Sequence, residues 1–83
     1  MSIAVFGSIN VDITAYSRHL PRTGETVHGE SYLTGLGGKG ANQAAACARL
    51  GGTVHLIGRT GTDIFADTAI AELGKYGVDT SRV

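Results

Sequence analysis

Cysteine occurs once in the 83 residues, at Cys47, so no disulfide can close within the chain. Flanked by Ala44, Ala45, Ala46 and Ala48, it reads as a small packing residue on a helix rather than a nucleophile. Tryptophan is absent, and three scattered tyrosines give no platform on which bases could stack. Charge of one sign is missing as well. Seven basic and seven acidic residues cancel without forming a run, which removes the electrostatic footprint of a nucleic-acid partner. Glycine breaks the apolar residues into short runs, well below the roughly 20 consecutive apolar residues a membrane helix needs. Met1-Ser2 leads straight into Ile3-Ala4-Val5-Phe6 with no basic leader, so the expectation is a cytoplasmic protein without a secretory signal. His19, His28 and His55 show no metal-ligand spacing and no partner cysteines or paired acids, and no metal-binding residue is assigned.

Glycine, by contrast, is abundant, with 13 residues, and it is concentrated where it matters. Gly37-Gly38-Lys39-Gly40-Ala41-Asn42-Gln43-Ala44, preceded by Gly35, places a glycine-rich turn, a lysine and an asparagine at the entrance to an alanine-rich helix. The glycines let the backbone take positive φ and approach a ligand closely. The helix start adds unpaired N–H donors and the positive end of its dipole. Lys39 adds a full charge, and Asn42 a donor and an acceptor. These residues suit a polar ligand. The Walker pattern fails, because Lys39 is followed by Gly40 instead of Ser or Thr. The dinucleotide pattern G-x-G-x-x-G fits Gly35, Gly37 and Gly40, but no acid for the ribose hydroxyls follows near Gly58-Arg59, so only an NADP-type oxidoreductase stays open by that route.

The opening of the chain offers a second half for such a site. Ile3-Ala4-Val5-Phe6, stopped by Gly7-Ser8, reads as a buried strand of a parallel sheet. The next eight residues, 9–16, alternate, so that in a strand Asn10, Asp12 and Thr14 project from one face. Asn10 and Asp12 fall just past the carboxyl end of the first strand, where open α/β sheets bind ligands. A carboxylate with an amide two residues away can clamp vicinal hydroxyls, since Asp accepts and Asn does both.

The coarse layout is a strand at about 3–7, lid strands at about 10–16 and 25–34, a helix at about 41–50 closed by Gly51-Gly52, a strand at 53–58 and a helix at about 63–76. Thr62 or Asp63 should cap that last helix, with Ile64, Phe65, Ala69, Ile70 and Leu73 facing the core and Gly77 ending it. Strand-helix-strand-helix after the lid predicts a parallel sheet with right-handed crossovers.

Three motifs in this order and spacing, Gly7-Ser8-Ile9-Asn10-Val11-Asp12, Pro21-Arg22-Thr23-Gly24-Glu25-Thr26 and Gly37 to Ala44, with Gly51 and Gly61 downstream, closely resemble the start of the PfkB (ribokinase-like) carbohydrate kinases. The resemblance covers the whole chain. It implies an α/β fold of the ribokinase-like type, a parallel sheet with flanking helices plus a small β lid that also makes a homodimer contact. It implies that Asp12 bonds two sugar hydroxyls with help from Asn10. Gly37 and Gly38 would let the backbone approach the sugar, and Lys39 and Asn42 would complete the contacts. The implied reaction transfers the γ-phosphoryl of ATP, with Mg2+ and with a monovalent cation left open, to a hydroxymethyl group of ribose or a related sugar. The family's catalytic base lies in a Gly-Ala-Gly-Asp-like motif near the C-terminus that is not present here, and Asp63 is not promoted to that role. Family members are several times longer. The expectation is therefore an N-terminal segment that carries much of the sugar site, none of the nucleotide site and no activity alone, with a non-catalytic sugar-binding or lid-mediated dimerisation module as the alternative.

Overall fold

The structure is a computed structural model that describes residues 2–83. Three strands, β1 (Ser2–Phe6), β4 (Thr53–Ile57) and β5 (Asp79–Arg82), form a parallel sheet in the order β1-β4-β5. Two others, β2 (Asn10–Tyr16) and β3 (Ser31–Gly37), form a separate antiparallel hairpin. Helices α1 (Lys39–Arg49) and α2 (Ile64–Lys75) are the crossovers that parallel pairing requires.

The core lies between one sheet face and the two helices. Val5, Val54 and Leu56 from the sheet meet Ala41 and Ala44 of α1 and Leu73 of α2, with Val78 closing one end. Ala41, Ala44 and Ala48 recur at the spacing of one helix face, and their small side chains let α1 lie close against the strands.

Both helices stop in the same way. Past α1, Gly51 at φ 94 donates its N–H to Ala48 and Gly52 to Cys47. Past α2, Gly77 at φ 90 donates to Gly74 and Val78 to Leu73. These are Schellman closures. Each needs a left-handed residue that glycine adopts without a Cβ penalty, and the second carries Val78 into the core beside Leu73. Asp63 caps the start of α2, its Oδ1 accepting from the Ala66 N–H at 2.9 Å.

Two expectations need correction. The second lid strand runs over Ser31–Gly37 and not about 25–34, because the register opposite β2 carries pairing on through Gly35 and Gly37. Residues 25–30 instead belong to a self-bonded connection, in which Glu25 N–H donates to Arg22 O at 2.9 Å and Arg18 pairs with Glu30 at 2.8 Å. Ile64 and Phe65 are 73% and 43% exposed and do not face the core. They sit in the first turn of α2 and line a groove of about 340 Å³ with Ile13, Tyr32 and Thr34 of the hairpin, while the buried residues of α2 are Ala69 and Leu73, of which Leu73 joins the core.

Strand β5 is an addition that the residue pattern does not announce. Asp-Thr-Ser-Arg is short and polar, as suits a sheet edge. Its carboxylate accepts from the Ser81 N–H at 2.9 Å, which holds the Asp79 carboxyl below its ordinary 3.8. His55 on the neighbouring strand places Nδ1 3.2 Å from Asp79 Oδ2, a contact that is charged on both sides only when the histidine is protonated. No helix among the described residues is long and apolar enough to cross a membrane.

Candidate functional site

The antiparallel register sets Asn10 opposite Gly37 and Asp12 opposite Gly35. Paired residues share a sheet face, so the polar face of β2 looks across onto two positions that have no side chain. That leaves room for the carboxylate. A Cβ on Gly37 would stand 2.6 and 2.7 Å from the two Asp12 carboxylate oxygens, so the acid lies across the bare Cα of Gly37. Gly37 has no positive φ, so what glycine provides there is room for the Asp12 carboxylate to lie in this position.

After Gly37 the chain turns through Gly38 at φ 91 and enters α1 at Lys39. A Cβ on Gly38 would fall 2.6 Å from Ser8 O and 3.0 Å from Asn10 N, so this turn is wedged against the one joining β1 to β2. Ala41 N–H donates to Ser8 O at 3.0 Å and Asn42 N–H to Gly38 O at 2.9 Å. No side chain caps α1, and the N–H groups of Lys39 and Gly40 have no partner among the described residues. The positive end of the helix thus opens beside the hairpin.

The six residues singled out from the sequence are therefore gathered at one place. Asn10 and Asp12 come from the hairpin, Gly37 and Gly38 from the turn, Lys39 and Asn42 from the first turn of α1. Asn10, Asp12, Lys39 and Asn42 are all exposed, and among the described residues none of their side chains makes a hydrogen bond or an ion pair within the protein. A carboxylate, two amides and a cation therefore stand free around a donor-rich helix end.

Residue-pattern reasoning overlooked Thr60. It lines a cleft of about 130 Å³ that begins at Asn10 and continues along Asp63, Phe65 and Ala66. The available signal was its place just past the carboxyl end of β4, the same location that drew attention to Asn10. Asp63 is occupied as the α2 cap. The glycines of the G-x-G-x-x-G reading do not form a strand-turn-helix fingerprint, because Gly35 and Gly37 lie inside antiparallel β3 and no parallel strand leads into the turn.

Comparison with known proteins agrees with this layout. The family profile described as pfkB family carbohydrate kinase matches residues 1–83. A deoxyribokinase from Salmonella typhi is 45% identical over 83 residues, covering 100% of this chain and 27% of its own length. A ribokinase from Bacillus subtilis is 44% identical over 79 residues, covering 95% of this chain and 27% of its own. The structure of Arabidopsis thaliana ribokinase complexed with ribose and ATP matches with a TM-score of 0.88 at 38% identity, over 98% of this chain and 27% of that one. The chain thus spans 27% of the length of each of these relatives. Its fold is ribokinase-like, and the chain belongs to the pfkB family of carbohydrate kinases.

Proposed function

We propose that these 83 residues form the sugar-binding portion and hairpin lid of a kinase that moves the γ-phosphoryl of ATP to a hydroxymethyl oxygen of ribose or a related sugar such as deoxyribose. The observation that carries this reading is the unpartnered Asp12 carboxylate lying over Gly37 beside the open end of α1. A carboxylate accepts from two adjacent hydroxyls at once, and each such bond is of the stronger, charge-assisted kind. Asn10 and Asn42 offer both donors and acceptors for the remaining sugar oxygens, and Lys39 donates only. The hairpin supplies one wall and α1 the other.

Among the described residues no three His, Cys, Asp or Glu side chains gather as a ligand set, and no residue of this chain is assigned to Mg2+. Nor do the described residues supply a free carboxylate beyond Asp12 in the site, since Asp63 is committed as a cap. Binding and orienting the sugar is the task proposed for this chain; nucleotide, metal and base belong to the remainder of a longer protein. A coupled assay of that longer protein with ribose or deoxyribose and MgATP should show turnover, and the 83-residue segment alone should show none, since positioning of both substrates carries phosphoryl transfer. Absence of turnover with either sugar would refute the reading.

On the other face of the hairpin Ile13 and Tyr32 are exposed, which supports a homodimer contact through the lid. Sedimentation of the longer protein should give a dimer that Tyr32→Glu dissociates, and a parent that sediments as a monomer would remove this contact from the proposal.

A further inference from the structure

We infer that Gly40, through its backbone contact with Gly7, is a positioning residue that sets the spacing between the two halves of the sugar site; the inference rests on the sugar-kinase reading above. Gly40 sits in the first turn of α1 without a positive φ, so backbone conformation does not call for glycine there. Glycine is also the poorest helix former after proline. Its presence is explained by space. A Cβ on Gly40 would stand 2.6 Å from Gly7 C, 2.7 Å from Gly7 Cα and 2.7 Å from Ser8 N. All three are backbone atoms, so no flexible side-chain end can swing aside.

The contact is reciprocal, and it continues on the far side. A Cβ on Gly7 would meet Gly40 Cα at 2.9 Å, and one on Gly58 would meet Gly7 O at 2.9 Å. Three chain segments are therefore in direct backbone contact: the loop after β4, the turn after β1 and the first turn of α1. The Ala41 N–H to Ser8 O bond, 3.0 Å, lies next to this joint.

The geometry ties the joint to the ligand. Asn10 and Asp12 follow directly on the turn that begins at Gly7, while Lys39 and Asn42 flank Gly40 on α1. Spacing at the Gly7–Gly40 contact is the spacing between the hydroxyl clamp and the helix-borne donors. A single methyl group at Gly40 must push α1 off the turn, and Lys39 and Asn42 move with it. No charge, donor or acceptor of the site is deleted.

Steady-state kinetics of the full-length protein, varying ribose and MgATP separately, provide the test. Gly40→Ala should lower kcat/KM for the sugar by about tenfold to a hundredfold, as a misplacement near an ångström does, with the ATP KM within about twofold of the parent. Gly7→Ala approaches the same joint from the other side and should act in the same direction. Gly74→Ala, where a Cβ meets nothing within 4 Å, should leave both constants alone. Hydrogen exchange gives an independent readout, since the Ala41 N–H should lose protection in Gly40→Ala. A Gly40→Ala protein with parental sugar KM and parental Ala41 exchange would overturn the inference, and Gly7→Ala decides by the same measures if Gly40→Ala does not fold. If the parent phosphorylates no sugar, the functional reading fails on its own, and Ala41 exchange alone then upholds or sinks the joint.

Discussion

If the longer protein is the sugar kinase proposed above, replacing Asp12 by alanine in it is expected to abolish useful sugar affinity while leaving nucleotide binding as it was. The carboxylate has no partner among the described residues, so its removal costs the fold almost nothing. In the complex it would accept two charge-assisted bonds, each worth roughly 1.5–3 kcal/mol, and its loss leaves two sugar hydroxyls without acceptors. Since 1.4 kcal/mol is a factor of ten, kcat/KM for the sugar should fall on the order of a hundredfold or more. A variant whose sugar KM and kcat stay within about threefold of the parent, a difference that ordinary surface substitutions produce, would make Asp12 a plain solvated strand residue.

Gly37→Ala should give nearly the same functional loss without touching the acid. The added methyl group would overlap the Asp12 carboxylate at 2.6–2.8 Å, and because that carboxylate is the exposed end of a side chain it can rotate away. Backbone φ at Gly37 is not in the left-handed region, so alanine fits the strand, and it should even gain roughly 0.5–1 kcal/mol over glycine in a strand interior. The turned-away rotamer offsets about the same amount. Thermal stability should therefore be unchanged while sugar kcat/KM drops at least about tenfold, the cost of a misplaced binding group. Parental sugar kinetics in a folded Gly37→Ala protein would show that the carboxylate does not need the place over Gly37. Loss of stability and activity together would point instead to a packing role for the glycine.

How far the site was legible in the residues follows from what kind of signal each part carries. Asn10 and Asp12 were visible because strict alternation fixes their face whatever the strand pairs with. Lys39 and Asn42 were visible because a helix start after glycines is a local event. The extent of β3 was not, since Gly35 and Gly37 have poor strand propensity and become strand only through pairing with β2. Ile64 and Phe65 failed for a similar reason. Their spacing is that of a core face, but the first turn of α2 lies against the hairpin, and only the tertiary arrangement shows this. Glycine at position 40 could be read as freedom of the backbone; that it answers a contact with Gly7 depends on two segments 33 positions apart (40 − 7) coming together.

The parallel pairing of β1 with β4 also orders events during synthesis. Ser2 pairs with Thr53, 51 positions later (53 − 2), and no other strand among the described residues pairs with β1. At about 5–20 residues per second, the apolar Ile3–Phe6 segment waits on the ribosome for about 3–10 s before its partner has even been made. The hairpin in between needs nothing beyond Gly37, and hairpins close in about 1–10 μs. In a nascent chain the hairpin can thus close and reopen many times while β1 is still unpaired, and since an isolated two-stranded hairpin is only marginally stable, Asp12 is held across Gly37 once the body forms around it.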